Sequence, residues 1–282
     1  MRMTSFVATC AALALCASAA RAGLYSGPTQ TVHPIDPAIP AASPLFFEWA
    51  NAIDESRTQF GPRGSTTISN TGFNSLGDLD AGEIAAGVSP GFLTVTFPHG
   101  VRNGAGPDFA VFENGFAFGT PNGLFAEFAY VEVSSNGSDF VRFPSVSTNT
   151  APVTGGGAFA GYDMSNVYNL AGKHAGGFGT PFNLDDLLIA ASVTSGAVDL
   201  NNIQYVRLVD IPGNGSFVDS LGNPILDNWL TVGSGGFDFR LPAGQGIGVI
   251  HAVPEPAAAL LAFIALTWLW QSLTRLRKDQ LS

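Results

Sequence analysis

The chain is poor in sulfur, in lysine and in helical patterning, and each shortage narrows what it can be. Its two cysteines, Cys10 and Cys16, both lie in an apolar stretch at the N-terminus. From Gly23 onward there is no cysteine, which excludes disulfide staples and a cysteine nucleophile in the body. A body of this length can bury a core large enough to fold without staples. Lysine is nearly absent, with Lys173 and Lys278 the two in the chain. Between Gly23 and Pro256 seven basic residues face 21 acidic ones, a formal charge of −14. That balance argues against a nucleic-acid partner, which demands positive charge. The four histidines, His33, His99, His174 and His251, show neither H-x-H nor H-E-x-x-H spacing. No G-x-S-x-G elbow is present, since Gly213-Asn214-Gly215-Ser216-Phe217 misses it. Gly172-Lys173 lacks the upstream glycine of a phosphate-binding loop. No long 3.6-residue or heptad pattern runs through the body, and no repeat of fixed period is found.

What the chain does have is concentrated first at its ends. Arg2 precedes an apolar run from Phe6 to Ala20, and Ala20-Arg21-Ala22 fits a small-x-small cleavage rule. The run is short and Ala-rich for a membrane span, so it predicts a signal peptide over residues 1–22, removed by signal peptidase. At the other end, Val253-Pro254-Glu255-Pro256 leads into a stretch without charge from Ala257 to Trp270, and Arg275, Arg277 and Lys278 follow. An apolar run, tryptophans at its edge, then positive residues is the pattern of a stop-transfer helix with its tail in the cytoplasm. These three parts resemble the PEP-CTERM sorting signal. The resemblance implies a tail over residues 253–282 whose Pro254-Glu255-Pro256 motif is read by an exosortase, a membrane protease-transferase. Both readings leave the body outside and the membrane reached only through the C-terminal helix. The expected location is therefore the cell surface or extracellular matrix, after transient anchoring in the inner membrane.

The body, residues 23–252, is rich in Gly (34 in the whole chain) and Phe (22), with many Pro, Asn and Ser. That composition favours short strands joined by tight turns. Ser43-Pro44 reads as a cap followed by proline at a first helical position, and Phe46, Trp49, Ala50 and Ile53 share one helical face, so one short N-terminal helix is expected there. Strands are expected at 92–97, 108–113, 125–134, 139–143, 203–210 and 246–252, with 108–113 central because it is nearly continuous in apolar residues. Asn136-Gly137 predicts a two-residue hairpin turn. Without βαβ helices, the fold class is all-β, an antiparallel two-sheet sandwich of jelly-roll type, in one domain.

The run Asn103-Gly104-Ala105-Gly106-Pro107-Asp108-Phe109-Ala110-Val111-Phe112-Glu113-Asn114-Gly115-Phe116 resembles the "pDF-VFEN" signature of an exported-protein family that often carries PEP-CTERM tails. Ala126 to Gly137, Asn169 to His174, Gly179 to Leu184, Val206 to Asp210 and Asp219 to Asp227 extend the match. The resemblance implies a β-rich ectodomain from about Leu45 to Ile250 and names no activity. Where that family commonly ends in a "GFDLDAVGVI"-like segment, this chain has Arg240 in place of the second Asp. If that Asp helps hold a cation, the site is weakened here.

The residues themselves offer two acidic groupings. Asp210, Asp219 and Asp227 bracket a Gly/Pro/Asn-rich segment that could fold oxygens around calcium, which takes six to eight of them. The alternative is that they are turn formers bonding their own backbone. Asp108, Glu113 and Asn114 bracket the expected central strand, and Glu113 ends an apolar run and must find a partner, in Arg102, Arg142, Arg207 or a cation. Glu127 and Glu132 differ in parity along their strand and cannot form one pair. Asp78-Leu79-Asp80 mimics the start of an EF-hand but has Ser89 where the closing Glu belongs, and that reading is rejected. His174, in a Gly-rich segment, is expected to be a surface-loop histidine. These signals point first to a non-enzymatic surface module that binds exopolysaccharide or matrix, with calcium as its cofactor. A carbohydrate-active hydrolase or lyase using paired carboxylates, with Glu113, Glu127 and Asp210 close together and free of salt bridges and Tyr162, Tyr168 or Trp229 lining its groove, is the second expectation. A purely structural envelope component is the third.

Overall fold

The computed structural model describes residues 23–229 and 236–254. The expected signal peptide and nearly all of the expected sorting tail, including Glu255, Pro256, Arg275, Arg277, Lys278 and the expected transmembrane helix, lie outside the described residues. Among the described residues no helix is long and apolar enough to cross a membrane.

The body is all-β, and every strand pairing described is antiparallel. Two five-stranded sheets dominate. One runs in the order Ile39–Pro40, Phe178–Phe182, Phe109–Val111, Ile247–Val249, Glu48–Trp49. The other runs Val141–Arg142, Phe128–Ser134, Ile203–Ile211, Phe92–Val101, Ala52–Ile53. Phe109–Val111 is thus the middle strand of its sheet, as its apolar run predicts.

Alternation explains the core. Leu93, Val95, Phe97, Val131, Val133, Val206 and Leu208 from one sheet meet Phe109, Val111, Phe182, Ile247 and Val249 from the other in one apolar cluster. Phe109 stacks on Phe182 at 5.3 Å between ring centres, and Phe143 meets both rings edge-on. Fully burying side chains of this size contributes roughly 1.5–3 kcal/mol each. A second cluster covers the outer face of the longer sheet, where Phe128, Tyr130, Val209 and Ile211 pack on Leu124, Tyr162, Met164, Val167 and Ile225. The central strands are therefore wrapped on both faces, which is why they carry so few polar positions.

Two local expectations are corrected. The N-terminal helix over Phe46–Ile53 does not form. The segment makes two short strands, Glu48–Trp49 and Ala52–Ile53, which edge the two different sheets. Its donors go to those sheets, with Ala50 N–H on Ile247 O at 2.9 Å and Asn51 N–H on Thr96 O at 3.1 Å. Apolar residues spaced three and four apart also suit a chain that crosses between sheets, and Phe46 and Trp49 pack on Phe112. The short helix described near the N-terminus is Ala81–Ala85, closed by a capping box between Asp80 and Glu83. The hairpin around Asn136-Gly137 does form, joining Val133 to Val141. However, only Gly137 takes positive φ (75°), so the turn is not of the two-residue type. The Asn136 side chain instead accepts Ser138 N–H at 2.8 Å and Asp139 N–H at 2.9 Å, an Asx turn in a longer loop.

Candidate functional site

Three inward-facing rows of the core end in carboxylates. Phe109 and Val111 point inward, and the same alternation carries Glu113 to that side. Val133, Val131 and Ala129 point inward, and so does Glu127. Val206 and Leu208 point inward, and so does Asp210. Glu113, Glu127 and Asp210 are all buried. Asp227, also buried, joins them from the segment after Pro224–Leu226, with Oδ2 accepting Phe128 N–H at 3.0 Å. Asp78 and Asp238, both half-buried, complete the grouping. Asp238 accepts from Ser75 Oγ and from Asn114 Nδ2, the latter at 3.1 Å.

The electrostatics follow from this crowding. Burial, then the neighbouring Glu127 and Asp238, push Glu113 well above the usual carboxylate range. Burial followed by Asp78, Glu127 and Asp238 does the same to Asp210. Burial followed by Glu127, Asp210 and Asp78 does the same to Asp227. Burial raises Asp78 to about 6 and Asp238 upward. None of Asp78, Glu113, Asp210, Asp227 and Asp238 forms an ion pair with a described Lys, Arg or His. Asp210 Oδ1 accepts Phe237 N–H at 2.9 Å, whereas its Oδ2 is buried with no hydrogen-bond partner among the described residues. An unmet buried carboxylate oxygen is costly unless a cation or proton answers it.

The backbone is drawn tightly onto these groups by glycine. A Cβ on Gly213 would stand 1.6 Å from Asp227 Oδ1. A Cβ on Gly236, whose φ of +70° already favours glycine, would stand 2.4 Å from Asp210 Oδ1. Two clefts of about 170 Å³ each open beside the grouping. One touches Glu113, Asn114, Asp238 and Arg240; the other touches Asp227, Tyr162 and Trp229.

The two expected calcium groupings are thus rearranged. Asp210 and Asp227 come together, and Glu113 joins them, with Asn114 reaching the same cleft. Asp219 does not. It accepts Ser147 N–H at 2.8 Å, Leu221 N–H at 2.9 Å and Asn223 N–H at 2.8 Å, so it is a turn former. These bonds hold its carboxyl below the usual range against the opposing effect of burial. Asp108 lies at the other end of its strand, accepting from Gly104 N–H at 2.8 Å and Leu184 N–H at 2.7 Å, with His251 Nδ1 at 2.7 Å. The arginines considered for Glu113 are occupied elsewhere, Arg102 on Ala252 O and Arg142 and Arg207 with Glu132. Arg240 lies over the Phe73 ring at 4.7 Å and donates to Thr71 O at 3.0 Å. Glu113, Glu127 and Asp210, the carboxylates expected for a hydrolase, do come together. Among the described residues, no three His, Cys, Asp or Glu side chains converge on one ion-sized point. A cation here would take fewer side chains and complete its shell with backbone carbonyls and water.

His174 is also not the surface residue expected. It is 1% exposed, and burial followed by the adjacent Lys173 charge holds its pKa well below the ordinary value. No protein-family model, curated protein or solved structure matches this chain.

Proposed function

We propose that this chain is an exported surface or matrix protein whose body is a jelly-roll-like sandwich stabilised by calcium, serving as a non-enzymatic binding module for extracellular polysaccharide. The observation that carries the reading is the Asp210 carboxylate, buried among like charges with one oxygen unanswered. Calcium, a hard cation taking oxygen ligands, matches that chemistry and is plentiful outside cells. Export, processing by signal peptidase and exosortase, and anchoring through the C-terminal helix rest on the terminal patterns read above. The polysaccharide reading is supported by exposed aromatic rings. Phe116 stacks on Phe125 at 4.8 Å, Phe125 meets Phe159 at 5.6 Å, and Phe116 and Phe159 are both exposed. Such a ring platform suits the apolar faces of sugars.

Calorimetry of the full chain with calcium tests the cation, and a glycan array tests the ligand. Binding heat that disappears in Asp210→Asn, together with array signal that falls in Phe159→Ser, is expected. No calcium heat and no glycan signal would remove the reading.

One observation favours a second reading, a polysaccharide hydrolase or lyase. Glu113 borders a cleft beside Asp238, and burial followed by Glu127 raises its pKa, the direction a general acid requires. Release of reducing ends or unsaturated sugars, lost in Glu113→Gln, would establish it; absence of both across a polysaccharide panel would dismiss it.

A further inference from the structure

Lys173 is the sole lysine before residue 278, and its side chain is completely buried. Lysine in that position is unusual, because burying its charge costs far more than its stem gains. Its Nζ meets one carboxylate, Asp36 Oδ2, and donates to Val167 O at 2.6 Å. Asp36 is 3% exposed. Its other oxygen, Oδ1, accepts Ser26 N–H at 2.8 Å. His33 Nδ1, which also faces Ile35 N–H at 3.3 Å, stands 3.1 Å from the same Oδ1. Behind the pair, Ser26 Oγ donates to Asp36 O at 2.6 Å and lies 2.9 Å from His174 Nε2. The Tyr25 ring lies 5.3 Å from Nζ and stacks on Tyr168 at 5.0 Å, closing the pocket against water.

We propose that Lys173 and Asp36 join in an intramolecular isopeptide bond that fastens the N-terminal arm to the body. Four features of the site support this chemistry. The amine and the carboxyl are in contact and excluded from water, so the competing hydrolysis lacks its reactant. One carboxyl oxygen is cradled by a backbone N–H, as a tetrahedral oxyanion needs, while the other faces the amine and can leave. Val167 O orients the amine. Burial lowers the Lys173 pKa to about 8, which brings the neutral, nucleophilic amine within reach near neutral pH.

The step balances without an outside reagent. The ammonium passes one proton to Asp36 Oδ2, leaving an amine and a carboxylic acid. The Nζ lone pair attacks Cγ and forms the C–N bond, and negative charge gathers on Oδ1 against Ser26 N–H. A second proton moves from Nζ to Oδ2, the C–Oδ2 bond breaks, and Oδ2 leaves as water while the carbonyl reforms at Oδ1. Ammonium plus carboxylate thus become amide plus water, and two buried charges vanish. The bond closes a loop from residue 36 to residue 173 in a body that has no cysteine to do so.

Intact mass spectrometry of the folded, purified full chain tests this, with a cooperative melt as the criterion of folding. The chain should be lighter than its sequence by one water. After denaturation, a protease specific for lysine should fail to cut after Lys173 while cutting after Lys278, and fragments should show the Asp36 and Lys173 peptides joined. Lys173→Arg and Asp36→Ala should each restore the full mass, and Asp36→Asn should lose ammonia in place of water. A mixture whose lighter fraction grows on incubation supports the same bond. A folded wild-type chain of full mass, cut completely after Lys173, would overturn the proposal and leave an ordinary buried ion pair.

Discussion

Lys173 and Asp210 are both shut away from water, at 0% and 1% exposure, yet their surroundings differ in kind. Around Lys173 the charge closes within the chain: Asp36 meets the amine, as an ion pair before the proposed step and as an amide after it, and Ser26 N–H meets the other carboxyl oxygen. Around Asp210 the neighbours are further carboxylates, Asp78, Glu127 and Asp238 among them, and one oxygen has no partner among the described residues. The first grouping is self-sufficient and reads as architecture. The second is complete only with something from outside, a cation or protons, and therefore reads as a site. What separates structure from function here is whether the sum of local charges closes, since burial is common to both.

The comparison can be broken most decisively at Lys173. Lys173→Met leaves Asp36 buried with neither its cation nor the cross-link and is expected to cost about 3–5 kcal/mol in urea unfolding, at least the scale of a broken buried pair. A loss under about 1 kcal/mol would show that Asp36 does not depend on Lys173. Next in size is Gly213→Ala, whose Cβ would collide with the Asp227 carboxylate. Displacing that group is expected to cost about 1–3 kcal/mol and to weaken calcium binding together with stability. Unchanged stability would mean that the backbone is not held against Asp227.

Asp210→Asn should have the opposite sign. It keeps an acceptor for Phe237 N–H but removes one of the repelling charges. In chelator at pH 7 the melting temperature should rise by about 2–4 °C, the equivalent of roughly 1 kcal/mol in a chain of this size. The response to calcium should vanish. A fall in both conditions would mean that the carboxylate was already satisfied.

A change of pH acts on the same groups without a substitution. Carboxylates whose folded pKa is raised hold protons in the folded state that the unfolded chain releases. Stability is then fullest at low pH and falls as pH rises from the unfolded value, about 4, through the folded one. For Asp78 that window closes at about 6. In chelator, stability should decline between about pH 4 and pH 6 and continue to decline beyond as Glu113, Asp210 and Asp227 ionise. A profile that rises through this range would place the dominant titration elsewhere.

The strands were legible because apolar alternation and runs report sheet burial directly, as at Phe109–Val111 and Ile203–Ile211. The 46–53 segment was not, because its spacing satisfies a helical face as well as a chain passing between sheets, and only the partners Ile247 and Thr96 decide between them. Within the site, Glu113 could be picked out as a carboxylate ending an apolar run, and Asp210 and Asp227 as carboxylates bracketing a Gly/Pro/Asn-rich segment. Asp219 looked identical in sequence, and it takes the alternative role expected of these residues, a turn former bonding Leu221 and Asn223 N–H. Asp238 could not be found because its partners, Ser75 and Asn114, come from other segments. Glu127 was within reach, since it continues the inward row of Ala129, Val131 and Val133.

The most direct test of the open acidic site is the melting temperature of the full chain in calcium and in chelator, at pH 5 and at pH 7. Calcium should raise it by several degrees at pH 7 and by much less at pH 5, where protons already relieve the repulsion. Equal melting temperatures with and without calcium at both pH values would contradict the account.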